Sequence, residues 1–132
     1  MIQPKTIILL VDDDQQVLAV TEMQLESLGH KVVAMLSGQE ALAAFQADPT
    51  SFDLVITDGR MPEIPGTVLA ESLLSIRSDI PIVLCTGFSP DFTPEMARKV
   101  GCRGFVMKPM CVGDWSAAIR HVLRSNDFYT KG

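Results

Sequence analysis

The stretch DLVITDGRMP, residues 53–62, runs from an apolar segment straight into an aspartate, a glycine, an arginine and Met-Pro. Five or six apolar residues are too few for a buried helix and enough for a strand. Asp58 therefore stands where a buried strand gives way to a loop. Four further runs share the pattern: Ile7–Val11, Lys31–Leu36, Ile80–Thr86 and Gly104–Lys108, with Phe52–Thr57 as the third of five. Their near-continuous hydrophobicity, without in-out alternation, predicts parallel strands covered on both faces.

Helical periodicity fills the gaps. Val17, Thr21, Leu25 and Leu28 follow the DDD triplet at helical spacing, and Gly29 supplies a stop. SGQE, 37–40, has the Ser-to-Glu spacing of a capping box. Leu69, Leu73 and Ile76 line a third helix, and Trp115, Ala118, Ile119 and Val122 line the last. DFTPEMARKV, 91–100, carries the weakest helical pattern, with Pro94 placed in its first turn. The order is β-α five times over. That predicts an α/β, flavodoxin-like doubly wound parallel sheet of five strands, in the order 2-1-3-4-5. Neither a repeat nor a linker divides the chain, so residues 1–132 read as one domain with its core at about 5–125. The polar end, SNDFYTKG at 125–132, is expected to fray.

Composition narrows the function. With 132 residues, 47% of them hydrophobic and a net charge of −5, the chain suits one globular core and lacks the basic surface that direct nucleic-acid binding needs. Three cysteines, Cys85, Cys102 and Cys111, are odd in number and show no CxxC spacing, so neither a disulfide framework nor a zinc site is expected. TIILLV, 6–11, is far shorter than the ~20 residues of a membrane span, which predicts no membrane insertion and a cytoplasmic protein.

In sheets of this kind ligands gather beyond the carboxyl ends of the strands. Strand one ends in Asp12-Asp13-Asp14, strand three in Asp58, strand four in Thr86-Gly87 and strand five in Lys108-Pro109. Taken singly, an Asp after a strand is most often a cap or turn former, and that reading is kept for Asp14, placed to cap the first helix. Lys108 alone would be a solvated lysine and Thr86 a strand-end residue. Together they converge, and clustered carboxylates repel unless something neutralises them. A hard cation such as Mg²⁺ suits a site of two or three carboxylates, and Lys108 adds a fixed positive charge. Such a pocket suits a phosphoryl group: Asp58 as nucleophile, metal and lysine offsetting charge, Thr86 hydrogen-bonding one oxygen.

ILLVDDD (8–14), DLVITDGRMP, LCTG (84–87) and GFVMKP (104–109), in this order and spacing, resemble the receiver domain of two-component response regulators over about residues 5–125. The resemblance implies that Asp58 accepts a phosphoryl group from the phosphohistidine of a histidine kinase or a histidine phosphotransfer domain. It further implies Mg²⁺, with Mn²⁺ as a substitute, held directly by Asp13 and Asp58, with help from Asp12 and a further ligand in the Arg60 backbone carbonyl. Thr86 and Phe105 match the family's switch pair, and the Lys108–Pro109 bond is expected to be cis. A surface on the fourth helix, fifth strand and fifth helix, with Arg98, Lys99 and Arg103, is expected to change when Asp58 is phosphorylated. Such a domain is a signalling module, not an enzyme, and promotes only its own phosphotransfer and dephosphorylation.

Four positions depart from the commonest pattern: Gly59 after the acceptor, Phe105 where Tyr is common, and the large Arg60 and Phe88 flanking the site. A degenerate receiver serving only as an interaction module is disfavoured by intact Asp13, Asp58, Thr86 and Lys108. An aspartyl-phosphate enzyme resembling the haloacid dehalogenases would carry D-x-D-x-T/V, where DDDQQ has Gln16 at the final position. A dinucleotide-binding module is excluded because no glycine-rich turn follows the first strand. The chain is expected to be either a stand-alone receiver or a receiver from a larger protein, and LCTGFS, 84–89, resembles receivers attached to hybrid sensor histidine kinases.

Overall fold

Strands form where β-branched and aliphatic residues concentrate, and the computed structural model, which describes residues 6–87 and 89–131, places β1 at Ile7–Val11, β2 at Lys31–Met35, β3 at Leu54–Asp58, β4 at Ile82–Thr86 and β5 at Gly104–Met107. Between them lie α1 (Gln15–Ser27), α2 (Gly38–Ala47), a single 3₁₀ turn (Pro49–Ser51), α3 (Gly66–Ile76), α4 (Pro94–Val100) and α5 (Val112–Arg124). A sixth strand, β6 at Tyr129–Lys131, follows. All pairings are parallel, in the order β2-β1-β3-β4-β5-β6.

Side chains of each strand divide between two apolar layers, as the two-residue period of a strand requires. Leu9, Val11, Leu84 and Phe105 join Phe45, Leu69 and Leu73 in the layer under α2, α3 and α4. Ile8, Leu10, Val83 and Val106 join Leu25, Trp115, Ile119 and Val122 in the layer under α1 and α5. Every residue of β3 and β4 is buried. Full burial of a Leu, Ile or Phe side chain contributes roughly 1.5–3 kcal/mol, so these two strands anchor the fold and hold their last residues, Asp58 and Thr86, rigidly. The margin strand β2 is only half-buried and begins with exposed Lys31, which blunts an open edge.

The helix ends follow local chemistry. Asp14 Oδ1 accepts hydrogen bonds from the amides of Gln16 at 3.0 Å and Val17 at 3.2 Å, capping α1. Gly29 takes a φ of 95° just past that helix, a conformation a side chain would disfavour. Ser37 Oγ accepts from the Glu40 amide at 3.1 Å at the start of α2. Thr93 caps α4, with Pro94 in its first turn.

The sixth strand corrects the expectation of a frayed end. Phe128 packs against one apolar layer and Tyr129 against the other, and the Tyr129 amide donates to the Arg103 carbonyl at 2.9 Å. Two adjacent aromatics thus supply a strand's alternation in a segment whose overall polarity had pointed to disorder.

Candidate functional site

The carboxyl ends of β1, β3, β4 and β5 open into a cleft of about 320 Å³ lined by Asp12, Asp13, Asp14, Asp58, Arg60, Thr86, Gly87, Ser89 and Lys108. Asp12, Asp58 and Thr86 are buried, while Asp13 is exposed at the rim. The ammonium of Lys108 lies between two carboxylates: its Nζ is 2.7 Å from Asp12 Oδ2 and 3.4 Å from Asp58 Oδ1. The Lys108–Pro109 peptide is cis, and the Lys108 amide donates to the Thr86 carbonyl at 2.9 Å. Asp12 Oδ1 in turn accepts from the Asp14 amide at 2.9 Å, which holds the first acidic loop to the strand end.

Crowding of charge sets the electrostatics. Burial pushes the Asp58 carboxyl up to about 6; the Lys108 charge and hydrogen bond oppose that, and the negative Asp12 and Asp13 reinforce it. For Lys108, burial disfavours the ammonium, but the hydrogen bond to Asp12 and the charges of Asp58 and Asp12 outweigh it, so its pKa is raised. Asp12, Asp13 and Asp58 each present a carboxylate oxygen, and the three oxygens lie within 4.8 Å of one another. An all-oxygen donor set with surplus negative charge fits a hard divalent cation such as Mg²⁺.

The loop after Asp58 is shaped for close approach. The Gly66 amide donates to the Gly59 carbonyl at 2.8 Å, and a Cβ on Gly66 would fall 2.1 Å from the Asp58 carbonyl oxygen. Only glycine lets α3 begin there, a constraint that sequence reading passed over; the PG pair at 65–66 was the available signal. Met61 is buried in the apolar layer and pins the middle of the loop. Gly59 also has a packing role: a Cβ there would meet the Phe92 ring at 3.0 Å and the Thr86 Cβ at 3.4 Å.

Arg60 turns its guanidinium away from the acids. It donates to Ser89 Oγ at 2.8 Å and to Asp91 Oδ2 at 3.3 Å, and lies 6.0 Å from the Phe92 ring centre. Ser89 and Phe92 were not singled out in the sequence, because their contacts join loops about thirty residues apart. Phe88, expected to flank the site, lies outside the described residues. Phe105 is fully buried beside Leu84 in the strand register, and Met107 is the neighbour of Thr86. Of the basic residues of the α4–β5 region, Arg98 stacks 4.9 Å over Phe128, and Arg103 donates to the Asp79 carbonyl at 3.3 Å.

A doubly wound parallel sheet with an acid pair, a hydroxyl and a lysine at one edge defines a narrow class of proteins. Residues 8–120 match the response regulator receiver domain, and the chain belongs to that family. It is 32% identical over 123 residues to a probable transcriptional regulator, ycf27, of Pyropia yezoensis, a match spanning 93% of this chain and 49% of that protein. It is 36% identical over 110 residues to the transcriptional regulatory protein ZraR of Salmonella typhimurium, spanning 83% of this chain and 24% of that protein. The chain thus spans about half the length, or less, of these curated relatives. Among solved structures, a response regulator receiver domain protein from Clostridium thermocellum superposes with a TM-score of 0.84 at 29% identity, covering 89% of this chain and 94% of that one. The chemotaxis protein CheY4 of Vibrio cholerae gives 0.80 at 26% identity, covering 91% and 100%. These likenesses make the chain a receiver domain of a two-component system. Among the described residues no helix is long and apolar enough to cross a membrane.

Proposed function

We propose that Asp58 is the phosphoacceptor of this receiver and takes a phosphoryl group from the phosphohistidine of a cytoplasmic histidine kinase or histidine phosphotransfer domain. An Asp58 carboxylate oxygen attacks phosphorus, the P–N bond breaks, and the imidazole leaves with the electron pair and takes up a proton. Lys108, already between Asp12 and Asp58, offsets charge on the phosphoryl oxygens, and Thr86 donates its hydroxyl to one of them. Asp13 and Asp58, assisted by Asp12 and the Arg60 carbonyl, would hold Mg²⁺ or Mn²⁺, which supplies Lewis-acid neutralisation of the transferring group. The observation that carries this reading is the meeting of Asp12, Asp13, Asp58, Thr86 and Lys108, from four strand ends, in one cleft.

Phosphorylation would draw the Thr86 hydroxyl towards the acceptor and let Phe105 repack, changing the surface of α4, β5 and α5. Such a change needs only about 1–3 kcal/mol of bias between two packings. Acetyl phosphate with Mg²⁺, followed by intact mass, tests the central step. One phosphoryl group is expected on the wild-type chain and none on Asp58→Asn; incorporation into that variant at the wild-type level would overturn the assignment.

A further inference from the structure

The free edge of β5 is closed by the chain's own last strand. β6 pairs with β5 in the register Gly104 to Tyr129, Phe105 to Thr130 and Val106 to Lys131. Paired residues share a sheet face, so Thr130 lies on the Phe105 side and Phe128, two residues earlier, lies there too. Phe128 packs against the layer that contains Ala97, Cys102 and Phe105, under the Arg98 guanidinium. Tyr129 and Lys131 face the other way, onto α5: the Tyr129 ring centre is 5.3 Å from that of His121, and Lys131 Nζ is 3.6 Å from Asp114 Oδ1.

This strand lies on the surface through which the receiver would signal, and it is held lightly. It has three residues, two of them exposed. Its ion pair is half-exposed, a kind that contributes little in water. Its seat includes the residue assigned as the switch, since Phe105 pairs with Thr130 through the backbone and shares an apolar layer with Phe128.

We propose that residues 127–131 are an intramolecular cover on the α4–β5–α5 face, docked while Asp58 is unphosphorylated and loosened once it is phosphorylated. A partner for that face then competes with the chain's own 127–131 segment. When Phe105 repacks, the layer under Phe128 changes shape, and the weakest strand is the first to lose its footing. The inference rests on the receiver reading of Asp58.

Hydrogen exchange on the full chain, with and without Mg²⁺ and beryllofluoride as the phosphoryl mimic, tests it. The peptide around Asp58 should exchange more slowly and that covering 126–131 at least about fivefold faster, the size of an ordinary coupling. Protection at Asp58 with unchanged exchange at 126–131 overturns the cover alone; no protection at Asp58 overturns the receiver reading and the cover with it. Linkage supplies a reciprocal arm: a variant whose 126–131 segment exchanges at the rate of an undocked peptide should bind beryllofluoride about fivefold tighter. Arg98→Ala with Lys131→Glu changes only surface groups, and Phe128→Ala removes the partly buried anchor. Exchange at that undocked rate in either variant at unaltered beryllofluoride affinity overturns the proposal.

Discussion

The two ends of the sheet use the same residue types to opposite effect. At the amino ends of the strands, Asp53 and Arg77 each answer a defined partner. Asp53 Oδ2 accepts from the Ile7 amide at 2.8 Å, where β1 begins. Arg77 donates through Nη1 to the carbonyls of Pro49 at 3.0 Å and Phe52 at 2.6 Å, and through Nε to Asp79 at 2.9 Å. The hydrogen bond and charge of Arg77 hold the Asp79 carboxyl below its usual range. At the carboxyl ends, two carboxylates share one ammonium with a third carboxylate beside them, and Asp58 is driven up to about 6. One end spends its charges on closing loops. The other keeps a surplus of negative charge that a divalent cation can relieve.

Substitutions at each end should therefore separate stability from chemistry. The largest effect is expected at Gly66, where a Cβ would fall 2.1 Å from the Asp58 carbonyl oxygen. Gly66→Ala must displace the loop that follows Asp58, at a cost of about 3 kcal/mol or more, and should abolish acetyl phosphate labelling. A variant as stable and as readily labelled as wild type would show that the loop tolerates a side chain there.

Next in size is the opposite end. Arg77→Met leaves the carbonyls of Pro49 and Phe52 without their donor and should lower stability by about 1–3 kcal/mol in urea melts. Labelling of Asp58 in the still-folded variant should be unaffected. A stable variant with slowed labelling would erase the division between the two ends.

A pH titration of the metal-free protein sharpens the same contrast. The folded pKa of Asp58 is raised from 3.8 to about 6, so the folded state holds a proton there that the unfolded chain has released. Its contribution is fully present below about pH 4 and is lost as pH rises through about 6, up to about 2–3 kcal/mol. Asp58→Asn should accordingly be about 1–2 kcal/mol more stable than wild type at pH 7.5 in chelator, and should lose that part of the pH slope. Equal stability at pH 7.5 would show that Lys108 already cancels the crowding.

The smallest expected effect lies within the acidic triplet. Asp14 is occupied as the helix cap, and Asp13 is exposed beside Asp58. Asp13→Ala should weaken Mg²⁺ binding about tenfold in a titration, and Asp14→Ala much less. Equal losses would place the cap in the metal site.

Periodicity and strand-end chemistry made most of the architecture legible, because parallel strands buried on both faces are apolar throughout and their polar termini stand out. Asp12, Asp13, Asp58, Thr86 and Lys108 could be picked out in this way, and so could the Asp14 cap and the stop at Gly29. Each is a local property of a few residues, set by side-chain chemistry and by position in an element. The joining of Lys108 to both Asp12 and Asp58 was not local: it depends on where β1, β3 and β5 bring groups 50 and 96 residues apart. The same holds for the glycine that lets α3 press on the Asp58 carbonyl, for the Arg60 bonds to Ser89 and Asp91, and for the sixth strand. Local polarity at 125–132 pointed to a loose end. Only the folded sheet, by presenting the open edge of β5 between two apolar layers, gave Phe128 and Tyr129 a place to pack.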